Sequence, residues 1–177
     1  GEIARARRCG HVELRHVARR FPSLPFRQHK VVMLLSLESG MWERLDRKVR
    51  NQVRKAQKSG LVAEHGGAEL VADFYTVFAH NMRDLGTPVY SRRLFEEVLA
   101  AFPDRTRIHV VRLDGRPVAA GLTYRSRNSV EVPWASSIRE FNNMCPNHLL
   151  YWNIIETALE DGTAVLDYGR STPGEGT

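Results

Sequence analysis

The chain has 177 residues, 42% of them hydrophobic and 26% charged, and a formal net charge of +6. This fits one ordinary domain with a real core, or part of a larger pair, and excludes a disordered polypeptide. The longest apolar run, Val31 to Leu35, is strand length and far short of the ~18 residues that a membrane span requires. Charge is uneven: residues 1–60 hold 15 Lys+Arg against 5 Asp+Glu, and residues 61–177 hold 11 against 15. A positive field confined to the first third suits a phosphate-bearing partner: RNA, a nucleotide-linked sugar, coenzyme A or an anionic headgroup. It equally fits a solvated basic helix without a ligand. Cys9 and Cys145 belong to no metal-ligand spacing, and no His-x-x-x-His pair occurs, so no metal is expected. No signal peptide is recognisable, and a reducing cytoplasm is the expected compartment.

In chain order, residues 2–9 read as the tail of a helix, with Val12 to Val17 and Lys30 to Leu37 as strands. The second is so uniformly apolar that a central place is expected. Pro22 and Pro25 mark the loop between them. Met41 to Ser59 reads as one basic helix with Ser39 placed to cap it. Met41, Leu45, Val49, Val53 and Ala56 recur at intervals of three and four, and Arg44, Arg47, Lys48, Arg50, Arg54, Lys55 and Lys58 crowd the other faces. Gly60 ends it.

A strand starts at Leu61 to Glu64, followed by helices at Ala68 to Leu85 and Ser91 to Ala101. Strands are expected at Arg107 to Leu113, Pro117 to Arg125 and Ser129 to Ala135, then a helix at Pro146 to Asp161 and a strand at Ala164 to Tyr168. Asp114-Gly115, between two β-rich runs, signals a tight hairpin.

Three separated stretches carry a family likeness: Arg50 to Leu61, Phe95 to Phe102, and Asp167 to Gly174. Together they resemble FemAB-related proteins of the GNAT-like N-acyltransferase superfamily, nearest the branch associated with bacterial exosortase and PEP-CTERM systems. The likeness covers nearly the whole chain. It implies an α/β (α+β) fold with a mixed central sheet flanked by helices and truncated at the C-terminus. It also implies two units in tandem. Residues 1–60 would be the end of a first unit plus a basic connecting helix, and residues 61–177 a second unit lacking its last helix and strands. On that reading the chain is a fragment, and the Ala164 to Tyr168 strand has an unpaired edge that invites self-association.

The implied activity is transfer of an acyl or aminoacyl group to an amine of a cell-envelope or exopolysaccharide precursor. Acyl-CoA or aminoacyl-tRNA would be the donor, tRNA a candidate partner, and no resident cofactor is assigned. In GNAT enzymes a glycine-rich Arg/Gln-x-x-Gly-x-Gly/Ala stretch before the main helix lets backbone N–H groups approach pyrophosphate. The corresponding Ile138 to His148 has no glycine. This weakens the alternative of a coenzyme A-dependent acetyltransferase. Another alternative, of a different class, is a non-catalytic module whose basic helix grips RNA or protein.

Direct attack by an amine needs a base, donors for the developing oxyanion and a proton for the leaving group. Glu131, alternating with Val130 and Val132, is a candidate base if its face lines a cleft and a surface residue otherwise. Asp167, at a strand end between Leu166 and Tyr168, is either hydrogen-bonded locally or functional. Tyr151, a turn into the main helix, is a candidate proton donor or a packing residue. Candidate substrate contacts are Trp134 as a pocket wall, or else a core aromatic, Asn147 at the helix N-terminus, and Arg170, Ser171 and Thr172 in the loop after the last strand. Asn51, Arg54 and Lys55, within the family-like stretch, either contact phosphate or hold two units together.

Overall fold

The computed structural model describes residues 2–14, 16, 18–27 and 30–172. Two basic runs frame the start. Helix α1 (Glu2–Ala6) is a short turn, and the described residues between Cys9 and Lys30 form no helix or strand. The strand expected at Val12 to Val17 is therefore absent over its described part. Two or three alternating apolar residues do not hold a strand that has no partner for its N–H and C=O groups.

Six strands form one sheet: β1 (Val31–Ser36), β2 (Leu61–Gly66), β3 (Thr106–Leu113), β4 (Arg116–Ser126), β5 (Ser129–Ser137) and β6 (Val165–Ser171). Their order is β1-β6-β5-β4-β3-β2, antiparallel throughout except for the parallel β5–β6 pair. The apolar strand β1 is thus an edge strand, and Val31, Met33 and Leu34 stay exposed. An uninterrupted apolar run has the same pattern in a central strand as in an edge strand with a bare face. Strand β6 lies between β5 and β1, so the unpaired edge expected there belongs to β1 instead.

The basic segment is two helices, α2 (Met41–Arg44) and α3 (Arg47–Lys58), broken at Leu45. Asp46 supplies the start of α3, its carboxylate accepting the Lys48 N–H at 2.7 Å. Ser39 caps nothing. Gly40, with φ 74°, precedes α2 without a side-chain cap. Gly60, at φ 82°, ends α3 as expected.

Helices α4 (Val71–Asp84), α5 (Arg92–Ala101) and α6 (Pro146–Glu160) fall where periodicity places them, and a 3-10 turn at Ala68–Leu70 leads into α4. Asp114 and Gly115 both take positive φ, 49° and 80°, as the primed hairpin turn requires. Helices α3 and α6 cover one sheet face around Val53, Ala56, Leu150, Ile154 and Leu166. Helices α4 and α5 cover the other around Phe74, Val77, Phe95, Ile108 and Leu122. Val53 is fully enclosed, so Val53→Asp should cost on the order of 4 kcal/mol or more and abolish a cooperative melt.

Beneath α6, His109 is buried with Nδ1 2.8 Å from Asn153 Oδ1, and its ring lies 5.7 Å from that of His65. Burial drives its pKa down from 6.5 to about 4. The Asn153 bond opposes this, and His65 and Arg107 reinforce it. The unfolded chain takes up this proton first as pH falls, so the neutral form's contribution is intact above about 6.5 and is lost between 6.5 and about 4. Denaturant titration across that window should show His109→Gln losing ~3 kcal/mol less stability than the parent chain.

Candidate functional site

The site arises from a defect in pairing. Between β4 and β5, Leu122 pairs with Trp134 but Tyr124 pairs with Glu131, so Val132 and Pro133 together oppose Thr123. Pro133 has no N–H to offer a ladder, which is why the extra residue sits there. The bulge swings the rest of β5 away from β6. The parallel ladder holds only at Ser129↔Val165, Val130↔Leu166 and Glu131↔Asp167. Beyond it β6 stays with β1, through Arg170↔Val32 and Ser171↔Val31, and Gly169 takes φ 79° within the strand. Trp134 to Ser137 therefore have no β6 partner. The two strands form a wedge, open at their C-terminal ends.

On the α6 side of the wedge, the rings of Tyr151 and Tyr168 meet at 5.2 Å. Burial raises both phenol pKa values, and Tyr151 raises that of Tyr168 further. Both are proton donors at neutral pH. Glu131 and Asp167 are register partners where the wedge begins. Alternation with Val130, Val132 and Leu166, which pack under α3 and α6, turns both carboxylates to the opposite face. Glu131 is exposed, whereas Asp167 is half-buried and accepts the Gly169 N–H at 2.7 Å.

The connector to α6 is a 3-10 helix, Arg139–Met144, followed by Cys145 at φ 61°. Its amides turn inward: Phe141 N–H donates to Ile138 O, Cys145 N–H to Asn142 O and His148 N–H to Cys145 O, at 3.0 to 3.1 Å. The Cys145 thiol donates to Gln52 Oε1 at 2.6 Å, joining α3 to the start of α6. Burial and the nearby Lys48 lower the pKa of His148.

A sequence profile described as acetyltransferase (GNAT) domain matches residues 44–175. The chain belongs to this GNAT family. Among solved structures, FemX superposes with a TM-score of 0.74 at 14% identity, covering 86% of this chain and 56% of that one. The C-terminal domain of a putative lysylphosphatidylglycerol synthetase from Agrobacterium fabrum gives 0.64 at 13%, covering 81% and 47%. The ribosomal-protein-S18-alanine N-acetyltransferase of Escherichia coli gives 0.51 at 11%, covering 60% and 64%. The chain spans about half the length of the first two. No curated protein sequence matches it. At such identities the likeness establishes the GNAT fold, a mixed sheet between two helical layers.

Among the candidate residues, the GNAT wedge brings Glu131 beside Asp167 and Tyr151 beside Tyr168, with the pairs on opposite sheet faces. Trp134 packs edge-on against Phe95 at 5.2 Å, partly buried against the core under α4 and α5, the second of its two expected roles. Asn147 is exposed on the first turn of α6. Arg170 is exposed on β6, Ser171 ends that strand, and the Thr172 hydroxyl contacts Lys30 Nζ. Pro173 to Gly176 lie outside the described residues. Asn51, Arg54 and Lys55 are exposed on α3. The Arg54 guanidinium lies 5.4 Å from the Trp42 ring, which in turn meets Trp152 edge-on at 4.7 Å. Two features escaped the sequence reading. Tyr168 carries no signal beyond its place in the family-like stretch, whereas Pro133 inside a strand pattern does mark a bulge. Near-ultraviolet titration should find both wedge tyrosines ionising above the usual 10.0, and Tyr151→Phe should move Tyr168 back toward it.

Proposed function

We propose that this GNAT unit transfers an aminoacyl group from aminoacyl-tRNA to an amine on a cell-envelope or exopolysaccharide precursor. The observation carrying this reading is the connector before α6. It contains no glycine, and the Phe141, Cys145 and His148 amides are engaged in its own turns, which leaves less bare backbone for a coenzyme A pyrophosphate. The motif likeness to the exosortase-associated branch supports an envelope acceptor. The extensive fold likeness to FemX and to a lysylphosphatidylglycerol synthetase domain supports an aminoacyl donor.

In this reading the aminoacyl ester lies along the unpaired edge of β5, whose free N–H groups stabilise the tetrahedral oxyanion. The acceptor amine enters between Glu131 and Asp167. One carboxylate takes the amine proton as the new C–N bond forms. As the C–O ester bond breaks, Tyr151, a phenol carrying its proton at neutral pH, protonates the departing ribose oxygen. Asn51, Arg54 and Lys55 hold donor phosphates, and Arg170, Ser171, Thr172 and Asn147 contact substrate at the open end. An acetyl-CoA donor, favoured by the domain's description, is the competing reading.

Thermal-shift titration at near-physiological salt separates them. Aminoacyl-tRNA should stabilise the chain more than deacylated tRNA, and acetyl-CoA should not stabilise it; stabilisation by acetyl-CoA alone overturns the proposal. Equal response to both tRNAs, with no turnover, would leave only a basic binding surface. Arg54→Ala with Lys55→Ala should weaken both tRNAs alike and reduce the slope of log affinity against log salt by about two. Tyr151→Phe should keep donor affinity while lowering turnover by ~10².

A further inference from the structure

The two edges of the sheet are built differently. Strand β2 closes one edge and carries features that keep sheet edges apart: Glu64, ion-paired to Arg112 on β3, then His65 and Gly66. Strand β1 closes the other and reads Val-Val-Met-Leu-Leu-Ser, with no charge, proline or glycine. The irregularity between β1 and β6 does not blunt this edge. Met33 alone stands against Tyr168 and Gly169, so the extra residue lies on β6 and β1 stays regular. Among the described residues, no strand pairs with the outer side of β1.

The hydrogen-bonding groups on that side define what fits it. The Leu37 N–H donates to Ala164 O, toward β6. Alternation then turns the N–H and C=O of Leu35 inward and those of Val32, Leu34 and Ser36 outward. Outward groups at every second residue are a template for one more strand. An antiparallel copy of β1 satisfies them when Leu34 faces its own counterpart on a two-fold axis. Val32 then faces Ser36, each such pair exchanging two hydrogen bonds, and Met33 faces Leu35, apolar against apolar. Just outside the strand, Lys30 faces Glu38, so opposite charges meet at both ends of the ladder. Within one chain Arg44 meets Glu38 through Oε2 alone, and Lys30 contacts a hydroxyl, that of Thr172, and no carboxylate among the described residues. A slip by one residue would set outward groups against inward ones, and a slip by two would separate Lys30 from Glu38.

We infer that two copies of this chain associate antiparallel along β1, with Leu34 on the two-fold axis, doubling the six-stranded sheet. Pairing uses the one unprotected sheet edge of each copy, so association closes at a dimer instead of running on into a filament. Leu34, 63% exposed in the single chain, is covered by its counterpart. The axis also relates the candidate sites. Leu34 is the register partner of Asp167, itself the partner of Glu131. The dimer therefore presents both carboxylate pairs on the same sheet face, one on each side of the Leu34 contact, and makes β1 and β6 central strands.

Analytical ultracentrifugation of the whole chain, from micromolar to near-millimolar concentration, should resolve a monomer–dimer equilibrium. Leu34→Lys sets two ammonium groups against each other on the axis and should weaken the dimer about tenfold or more, with the melt of the dilute chain unchanged. Leu34→Pro removes an outward N–H that the single chain does not use and should have the same effect. Lys30→Glu and Glu38→Lys should each weaken association about fivefold or more, and the two together should restore it. A chain that stays monomeric, a dimer indifferent to both Leu34 variants, a charge exchange that fails to restore association, or growth beyond the dimer overturns the inference.

Discussion

The open wedge depends on one missing hydrogen-bond donor. Pro133 cannot complete a ladder on β5, the strand takes an extra residue there, and its C-terminal half diverges from β6. The open part of the candidate site follows from that divergence. The free edge of β5 becomes available to an extended ligand, the Tyr151–Tyr168 contact borders the gap, and Glu131 and Asp167 sit at its vertex. The surrounding sheet tolerates the defect because both of its faces are buried, by α3 and α6 on one side and α4 and α5 on the other.

The electrostatics are divided along the same architecture. The cations of α3 from Arg47 to Lys58 have no carboxylate partner among the described residues, and Arg50 Nε is buried without a hydrogen-bond partner. The arginines of the sheet are instead neutralised locally, Arg112 by Asp73 and Glu64, and Arg107 by Asp161. Ion pairing is therefore structural where β2, β3 and α4 meet and absent on the outer face of α3. That contrast separates charge that holds the fold from charge available to a partner.

From Leu61 onward the elements were legible in the sequence. Their signals are local: 3.6-residue periodicity for α4, α5 and α6, alternation for β3 to β5, and Asp114-Gly115 for the hairpin. Before Leu61 a strand at β1, a basic helix over α3 and its end at Gly60 were legible too, but the fate of Val12 to Val17 and the place of β1 in the sheet were not. Whether Val12 to Val17 finds a partner, and whether β1 is central or at an edge, depends on long-range register that no short pattern encodes. The break at Leu45 was missed because the apolar spacing runs on across it, while Asp46, a better cap than Ser39, was in plain view. Of the site, alternation correctly opposed Glu131 to its flanking valines. The adjacency of Glu131 to Asp167, and of Tyr151 to Tyr168, comes from a parallel pairing across 36 positions of register and a helix between them.

The short β5–β6 ladder also has a mechanical meaning. Strands β1 and β6 are hydrogen-bonded to each other over most of their length but to the rest of the sheet at only three positions. They form a two-stranded leaf on a narrow hinge, its inner side seated on the α6 layer through Leu166. Rotation about those three positions changes the width of the gap without breaking a bond in β2 to β5. Amides in the β3–β4 hairpin and those of the leaf would then belong to different cooperative units, with the leaf exchanging with solvent at the lower opening energy.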